Sequence, residues 1–212
     1  MRSRSPVSLW FGVSLCIAGA ISLLARLRSP TLLGYYDDDA FYYFQIARNI
    51  VSLHRSTFDG THLTNGYHPL WMLTLVGLGM LFSGKAFFVM LQCLALASFT
   101  TSFLVARSAL RCISNNLAFT EIAASIVALQ CLLLVRGGME ITITIPLTLL
   151  LCWYRLGPWF RWTPMVAGCY GLLSALIILS RLDSVVFIVM LWLQCPIFCT
   201  GWIVSVAQLL VC

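Results

Sequence analysis

Of the seven acidic residues in the chain, four (Asp37, Asp38, Asp39 and Asp59) lie between Tyr35 and Trp71, and so do all three histidines, His54, His62 and His68. A carboxylate beside an attacking hydroxyl can take its proton. Two carboxylates at the spacing Asp37-x-Asp39 also offer oxygen ligands to Mg²⁺ or Mn²⁺. The competing reading of three adjacent acids is a solvated helix cap. Charged residues are only 9% of this chain, and there a gathered acidic segment is read as functional. The histidines stand eight and six residues apart with no H-x-x-x-H pair, so no zinc site is expected. His68, directly before Pro69, is read as a loop anchor or a contact to an acceptor.

The elements that must position these groups are apolar. The chain is 60% hydrophobic with a mean hydropathy of +0.94, far beyond what a soluble domain of 212 residues uses. The expected fold is all-α: a polytopic transmembrane bundle of about six spans, a short re-entrant or juxtamembrane helix, and one external loop carrying a surface helix. A single domain covers 1–212, and the apolar run at Leu209-Leu210-Val211-Cys212 leads to the expectation that the natural protein continues further. The net charge of +6 reports topology and headgroup contact. No basic stripe or stacking platform accompanies it, so nucleic acid is excluded as a partner. The cysteines sit in or beside apolar runs, none lies between Arg28 and Pro69, and they are read as small apolar fillers. Cys195 and Cys199, four apart, offer the alternative of two thiols on one helix face.

In order, Arg2 and Arg4 precede an apolar run from Val7 to Leu27, which keeps the N-terminus cytoplasmic and places the loop 28–68 outside. Asp39 stands at an expected helix N-cap before Ala40–Leu53. On that helix Phe41, Phe44, Ala47 and Val51 share one face, with Arg48, Asn49 and Ser52 turned away. Phe58-Asp59-Gly60 and Thr64-Asn65-Gly66 read as turns. Pro69–Ser83 is apolar, but its length covers roughly 22 Å of a roughly 30 Å hydrocarbon core. Spans are expected over 86–106, 117–135, 141–154, 165–179 and 184–202, with a loop over 107–116. If Pro69–Ser83 dips in and returns, Arg107, Arg111, Arg155 and Arg161 join the cytoplasmic side. Glu140, Arg181 and Asp183 then join the acidic loop, and Glu121 alone among the acids stays behind. Trp71 and Trp202 are read as interface anchors.

The run Asp38-Asp39-Ala40-Phe41-Tyr42-Tyr43, Ile46-Ala47-Arg48-Asn49-Ile50, Thr57-Phe58-Asp59-Gly60 and Thr64-Asn65-Gly66-Tyr67-His68-Pro69-Leu70-Trp71 resembles the first external loop of GT-C type membrane glycosyltransferases. That superfamily includes protein O-mannosyltransferase-like and aminoarabinose-transferase-like enzymes. Gly138-Met139-Glu140 and Ser180-Arg181-Leu182-Asp183 resemble later motifs of the same group. Asp37 adds a third acid to the paired pattern, and Leu53-His54-Arg55-Ser56 stands where glycines are expected.

The resemblance implies a hexosyltransferase-type enzyme with a polyprenyl-phosphate-linked sugar donor, whose lipid lies in the bilayer and whose sugar is met on the extracytoplasmic side by a glycan, lipid or protein acceptor. Asp38 is then the expected general base, with Asp39 second, and the outcome is inversion at the sugar carbon. Arg48 is the expected partner of the phosphate leaving group, with Arg136 and Arg181 as alternatives. Asn65, His68, Glu140, Arg181 and Asp183 complete the expected substrate contacts. For Glu140 a helix-start cap is an equal reading, and for Arg181 with Asp183 a structural ion pair is the competing one. Mg²⁺ or Mn²⁺ on Asp37 and Asp39 is the only cofactor entertained. Two other functions compete: a non-catalytic membrane remnant or partner-binding subunit, and a transporter. The acids sit at helix ends rather than on paired broken helices, which counts against the transporter.

Overall fold

The computed structural model describes residues 17–19, 21, 25, 36–135, 138–157 and 163–193. Within them the regular elements are helices, joined by turns and by the loop 54–68, which holds one isolated bridge between Thr57 and Leu63. The helices are α1 (Asp38–Leu53), α2 (Pro69–Leu81), α3 (Lys85–Ile113), α4 (Leu117–Val135), α5 (Ile141–Leu156), α6 (Pro164–Ser180) and, after a 3₁₀ turn at Leu182–Ser184, α7 (Val185–Leu193). The described residues before Tyr36 are also helical, and Gly19 lies directly against the Phe99 ring of α3.

Local chemistry sets most boundaries. Pro69 and Pro164 occupy first-turn positions, where the missing N–H costs nothing. Thr163 accepts from the Val166 amide, and the Asn116 Oδ1 accepts from the Phe119 amide; both are side-chain caps. α1 starts earlier than expected. Asp37, not Asp39, is its N-cap residue, and the carbonyl of Asp37 accepts the first turn's bond from the Ala40 amide at 2.9 Å. Asp38 and Asp39 are therefore first-turn acids, where the helix dipole favours their charge.

The expected faces of α1 are also corrected. Its buried side is Ala40, Tyr43, Ile46, Ala47 and Asn49, while Phe41 is exposed. These residues join Tyr36, Trp71, Met72, Leu75 and Leu91 in a core that ties α1 to α2 and the start of α3. Trp71, expected as an interface anchor, is fully buried in that core. α3 packs most closely on α4 and α5. Ala106, Ala124 and Ala128 let the backbones approach beside Phe99 and Phe103. Cys131, as a small filler should, bonds Ser102 and Ser98 across that interface. α6 packs on both α5 and α2, and this carries the residues after its C-terminus to the start of each.

Two helices, α3 and α4, are long and apolar enough to cross a membrane, with mean hydropathies of 1.9 and 2.0 and only 39% and 28% of those windows buried inside the protein. About six spans were expected; among the described residues only these two helices have the length and hydropathy of a span, and six are not supported. α2, α5 and α6 are apolar but have 13, 16 and 17 residues, and sixteen residues rise only about 24 Å against a core of about 30 Å. α3 also corrects a boundary: it continues through the expected loop at 107–116 as far as Ile113. The length of the first span with Arg2 and Arg4, and Arg136, Arg161, Cys195, Cys199, Trp202 and the end of the 184–202 run, lie outside the described residues.

Candidate active site

Most of the residues singled out by type and spacing fall around α1, on two of its faces. Adjacent helical residues point about 100° apart. Asp38 therefore shares a side with Tyr42, Gln45, Arg48 and Ser52, and Asp39 with Tyr43.

The Asp38 side faces a cavity of ≈ 1070 Å³ between α1, the α2–α3 turn and the start of α3. Its walls are mostly apolar, from Phe41, Phe44, Val51, Leu75, Phe82, Phe87 and Phe88, and Asp38 and Arg48 are its charged lining residues. The two are ten residues apart, about 15 Å of helix rise. Side chains on a helix lean toward its N-terminus, so the long Arg48 arm shortens that gap. Tyr42 stacks on Phe58 at 4.9 Å and bonds Thr64 at 3.1 Å, which seals the loop onto this face.

The second face meets a polar cluster built around one buried carboxylate, Glu140. Glu140 holds the residue position before α5, but its side chain caps nothing. The carboxylate instead turns inward, 4% exposed, with Oε1 3.6 Å from Arg181 Nη1 and 3.8 Å from His68 Nε2. Of the two equal readings of Glu140, the side chain takes the cluster rather than the cap. Its Oε2 and the Nδ1 of His68 are buried without a hydrogen-bond partner. Unpaired buried polar atoms of this kind are rare in a settled core. Arg181 Nε donates to both Asp183 oxygens at 2.9 and 3.0 Å, and that bond holds the Asp183 carboxyl below the ordinary range. Arg181 thus makes the expected ion pair and also touches Glu140.

Tyr43, which the sequence reading passed over, sits at the centre. Its hydroxyl accepts the His68 amide at 3.3 Å. Burial pushes the phenol above its ordinary value, the His68 bond opposes this, and the Glu140 and Asp39 charges push it further against the Arg181 charge. The signal for it was present: Tyr43 follows Asp39 by four, one turn on the same face. Asn65, another expected contact, is exposed in the loop, where its carbonyl accepts from the Tyr67 amide.

The structure therefore brings together Asp39, Tyr43, His68, Glu140, Arg181 and Asp183 from four separate stretches of chain, and it sets Asp38 with Arg48 on the neighbouring cavity wall. Asp37, Asp38 and Asp39 are all exposed. Among the described residues no three His, Cys, Asp or Glu side chains group closely enough to hold a metal ion. Comparison with family models, curated proteins and solved structures finds no match to this chain.

Proposed function

We propose that the chain is the membrane-embedded core of a glycosyltransferase that moves a sugar from a polyprenyl-phosphate donor to an acceptor hydroxyl on the extracytoplasmic side. The observation that carries this reading is convergence. The acidic loop and the Gly138-Met139-Glu140 and Ser180-Arg181-Leu182-Asp183 segments, which resemble GT-C motifs at matching places in the chain, share one end of the bundle. Asp38 takes the acceptor proton as the oxygen attacks the anomeric carbon. The sugar–phosphate bond breaks on the opposite face, with inversion, and Arg48 meets the departing phosphate charge. The apolar cavity beside them suits an isoprenoid chain. Mg²⁺ or Mn²⁺ on Asp37 and Asp39, completed by water and phosphate oxygens, would supply further charge neutralisation at the leaving group.

The topology proposed with this has α3 and α4 crossing the bilayer along with the first apolar run, α5, α6 and the segment from 184. The N-terminus and the Arg107 end face the cytoplasm. One observation favours the second reading, a non-catalytic or partner-binding membrane subunit: Asp38 and Arg48 line the cavity while Glu140, His68 and Arg181 close on one another beside Tyr43.

Transfer assays in membranes with polyprenyl-phosphate sugars decide between them. Asp38→Asn is expected to insert normally and to lose about 10²-fold or more in turnover, the usual worth of a positioned base. Unchanged turnover removes Asp38 from the mechanism, and a stable wild-type chain inert toward every such donor leaves the non-catalytic reading.

A further inference from the structure

The cavity along α1 is charged at one end only. Its lining on α1 runs from Asp38 to Ser52, about 21 Å of helix rise. Asp38 and Arg48 are the charged lining residues, and among the described residues neither side chain has a hydrogen-bond or ion-pair partner. The Arg48 arm leans toward the helix N-terminus, so its guanidinium lies toward Asp38. α2 runs beside α1 in the same direction. The His68 amide meets the Tyr43 hydroxyl at 3.3 Å before the first turn of α2, and Gly79 faces Val51 near the end of both helices. The far end of the cavity is therefore Val51, Gly79 and the turn Phe82–Gly84, and it carries no charge. That turn leaves room: Gly84 has φ +55° and nothing within 4 Å of an added Cβ.

Gly79 is where helix chemistry and packing part company. A glycine inside a helix is less favourable than an alanine. Close approach of α1 to α2 does not demand one, because a Cβ built at Gly79 would stand 3.4 Å from Cγ2 of Val51, an ordinary contact distance. What a longer side chain would take is space in the cavity that Gly79 lines. Gly77 points about 200° away round the helix. It does not line the cavity and has nothing within 4 Å of an added Cβ. At ≈ 1070 Å³ the cavity is at the upper end of those that hold a whole small ligand, more than a sugar and a phosphate fill. The ligand that suits it is an amphiphile, with its polar head between Asp38 and Arg48 and its hydrocarbon running past Gly79.

We infer that Gly79 is a specificity-determining residue for the donor's hydrocarbon: the isoprene units after the phosphate pass between Val51 and the Phe82–Gly84 turn across the bare face of Gly79, so the site selects for a chain of several units. The inference rests on the polyprenyl-phosphate donor of the proposed function, and its test reads binding rather than transfer. The full chain is purified in a non-ionic detergent, and retained ligand is counted by native mass spectrometry with farnesyl phosphate and with the single-unit dimethylallyl phosphate. The wild type is expected to retain farnesyl phosphate in preference. Gly79→Leu is expected to lower that retention about tenfold, the worth of roughly two methylene groups no longer buried, and to leave dimethylallyl phosphate unchanged. Gly77→Leu makes the same change to helix propensity outside the cavity and is expected to alter neither. Thermal unfolding without ligand identifies a variant that has lost its fold, and Val51→Phe, which fills the same place from α1, decides if Gly79→Leu proves unstable. Equal retention of the two phosphates by the wild type, equal loss of both in Gly79→Leu, or the same loss in Gly77→Leu overturns the inference. A chain that binds in the expected pattern and transfers no sugar keeps the inference and sinks the transferase reading. Transfer abolished by Asp38→Asn, with farnesyl phosphate binding untouched by Gly79→Leu, does the reverse.

Discussion

Gly138 offers the sharpest test of how the Glu140 segment is held. Its φ is +75°, and a Cβ built there would stand 2.6 Å from Cδ1 of Tyr36 and 3.2 Å from Cζ of Phe44. The Tyr36 ring cannot give way cheaply. Its hydroxyl accepts from Gln92 Nε2 at 2.7 Å, and its faces and edges are packed by Phe41, Phe44 and Phe88. Gly138→Ala therefore carries two costs, about 1–2 kcal/mol for the left-handed backbone and about 1–3 kcal/mol for overpacking. Gly60 isolates the first. Its φ is +86° with nothing within 4 Å of an added Cβ, so Gly60→Ala costs roughly 1–2 kcal/mol. At about 2–4 °C per kcal/mol for a chain of this size, Gly138→Ala lowers the unfolding midpoint by on the order of 10 °C and Gly60→Ala by a few degrees. Intrinsic tryptophan fluorescence in detergent reads both. Combining Gly138→Ala with Tyr36→Leu is expected to cost less than the two single changes added together, because the smaller side chain relieves the overlap. Equal losses for the two glycine variants would refute the close contact between the 138 segment and Tyr36.

Two further outcomes concern the loop between α1 and α2. Asp59 accepts from the Thr61 and His62 amides and from His62 Nδ1 at 2.7 Å, which holds its carboxyl far below the ordinary range and raises the imidazole. The histidine contribution is complete below its ordinary value of 6.5 and lost as pH rises through the raised one, while the aspartate contribution is present above 3.8 and lost as pH falls through the depressed one. Rate-corrected hydrogen exchange at the Thr61 and His62 amides should be slowest between about pH 4 and 6.5, and His62→Ala should remove the upper limb. Asn49 donates through Nδ2 to the Thr57 and Phe58 carbonyls at 2.9 and 3.0 Å from a buried position. Asn49→Ala is expected to cost about 1–3 kcal/mol and to speed proteolysis over 54–67, and Asn49→Asp should behave alike, since a carboxylate cannot donate.

Hydropathy and helix punctuation made the element order legible. The start of α2 at a proline, the bounds of α4 and the short length of the 69–83 run all followed from residue types. What stayed hidden were the partners of polar groups. Arg107 and Arg111 read as loop residues because charge usually ends an apolar helix. Glu121 across the turn gives them a counter-charge, so α3 runs on through both. Asn49 read as solvent-facing because only the loop's carbonyls, eight and nine residues away in sequence, make its burial affordable. Trp71 read as an interface anchor, whereas the core of α1, α2 and the start of α3 buries it completely.

The candidate site was legible as a set and illegible as an arrangement. His68, Glu140 and Arg181, from three distant stretches of the chain, were gathered by α6 packing on both α2 and α5, a tertiary fact that no local pattern contains. The adjacent acids illustrate why. In sequence Asp38 and Asp39 read as one pair with interchangeable roles. On a helix they must diverge, and here one carboxylate looks into an apolar cavity with Arg48 while its neighbour's charge acts on the buried Tyr43. In the proposed mechanism the exposed carboxylate beside the apolar chamber takes the acceptor proton. The other carboxylate raises the Tyr43 phenol through its charge. The 100° turn between successive residues thus gives the two adjacent acids different surroundings.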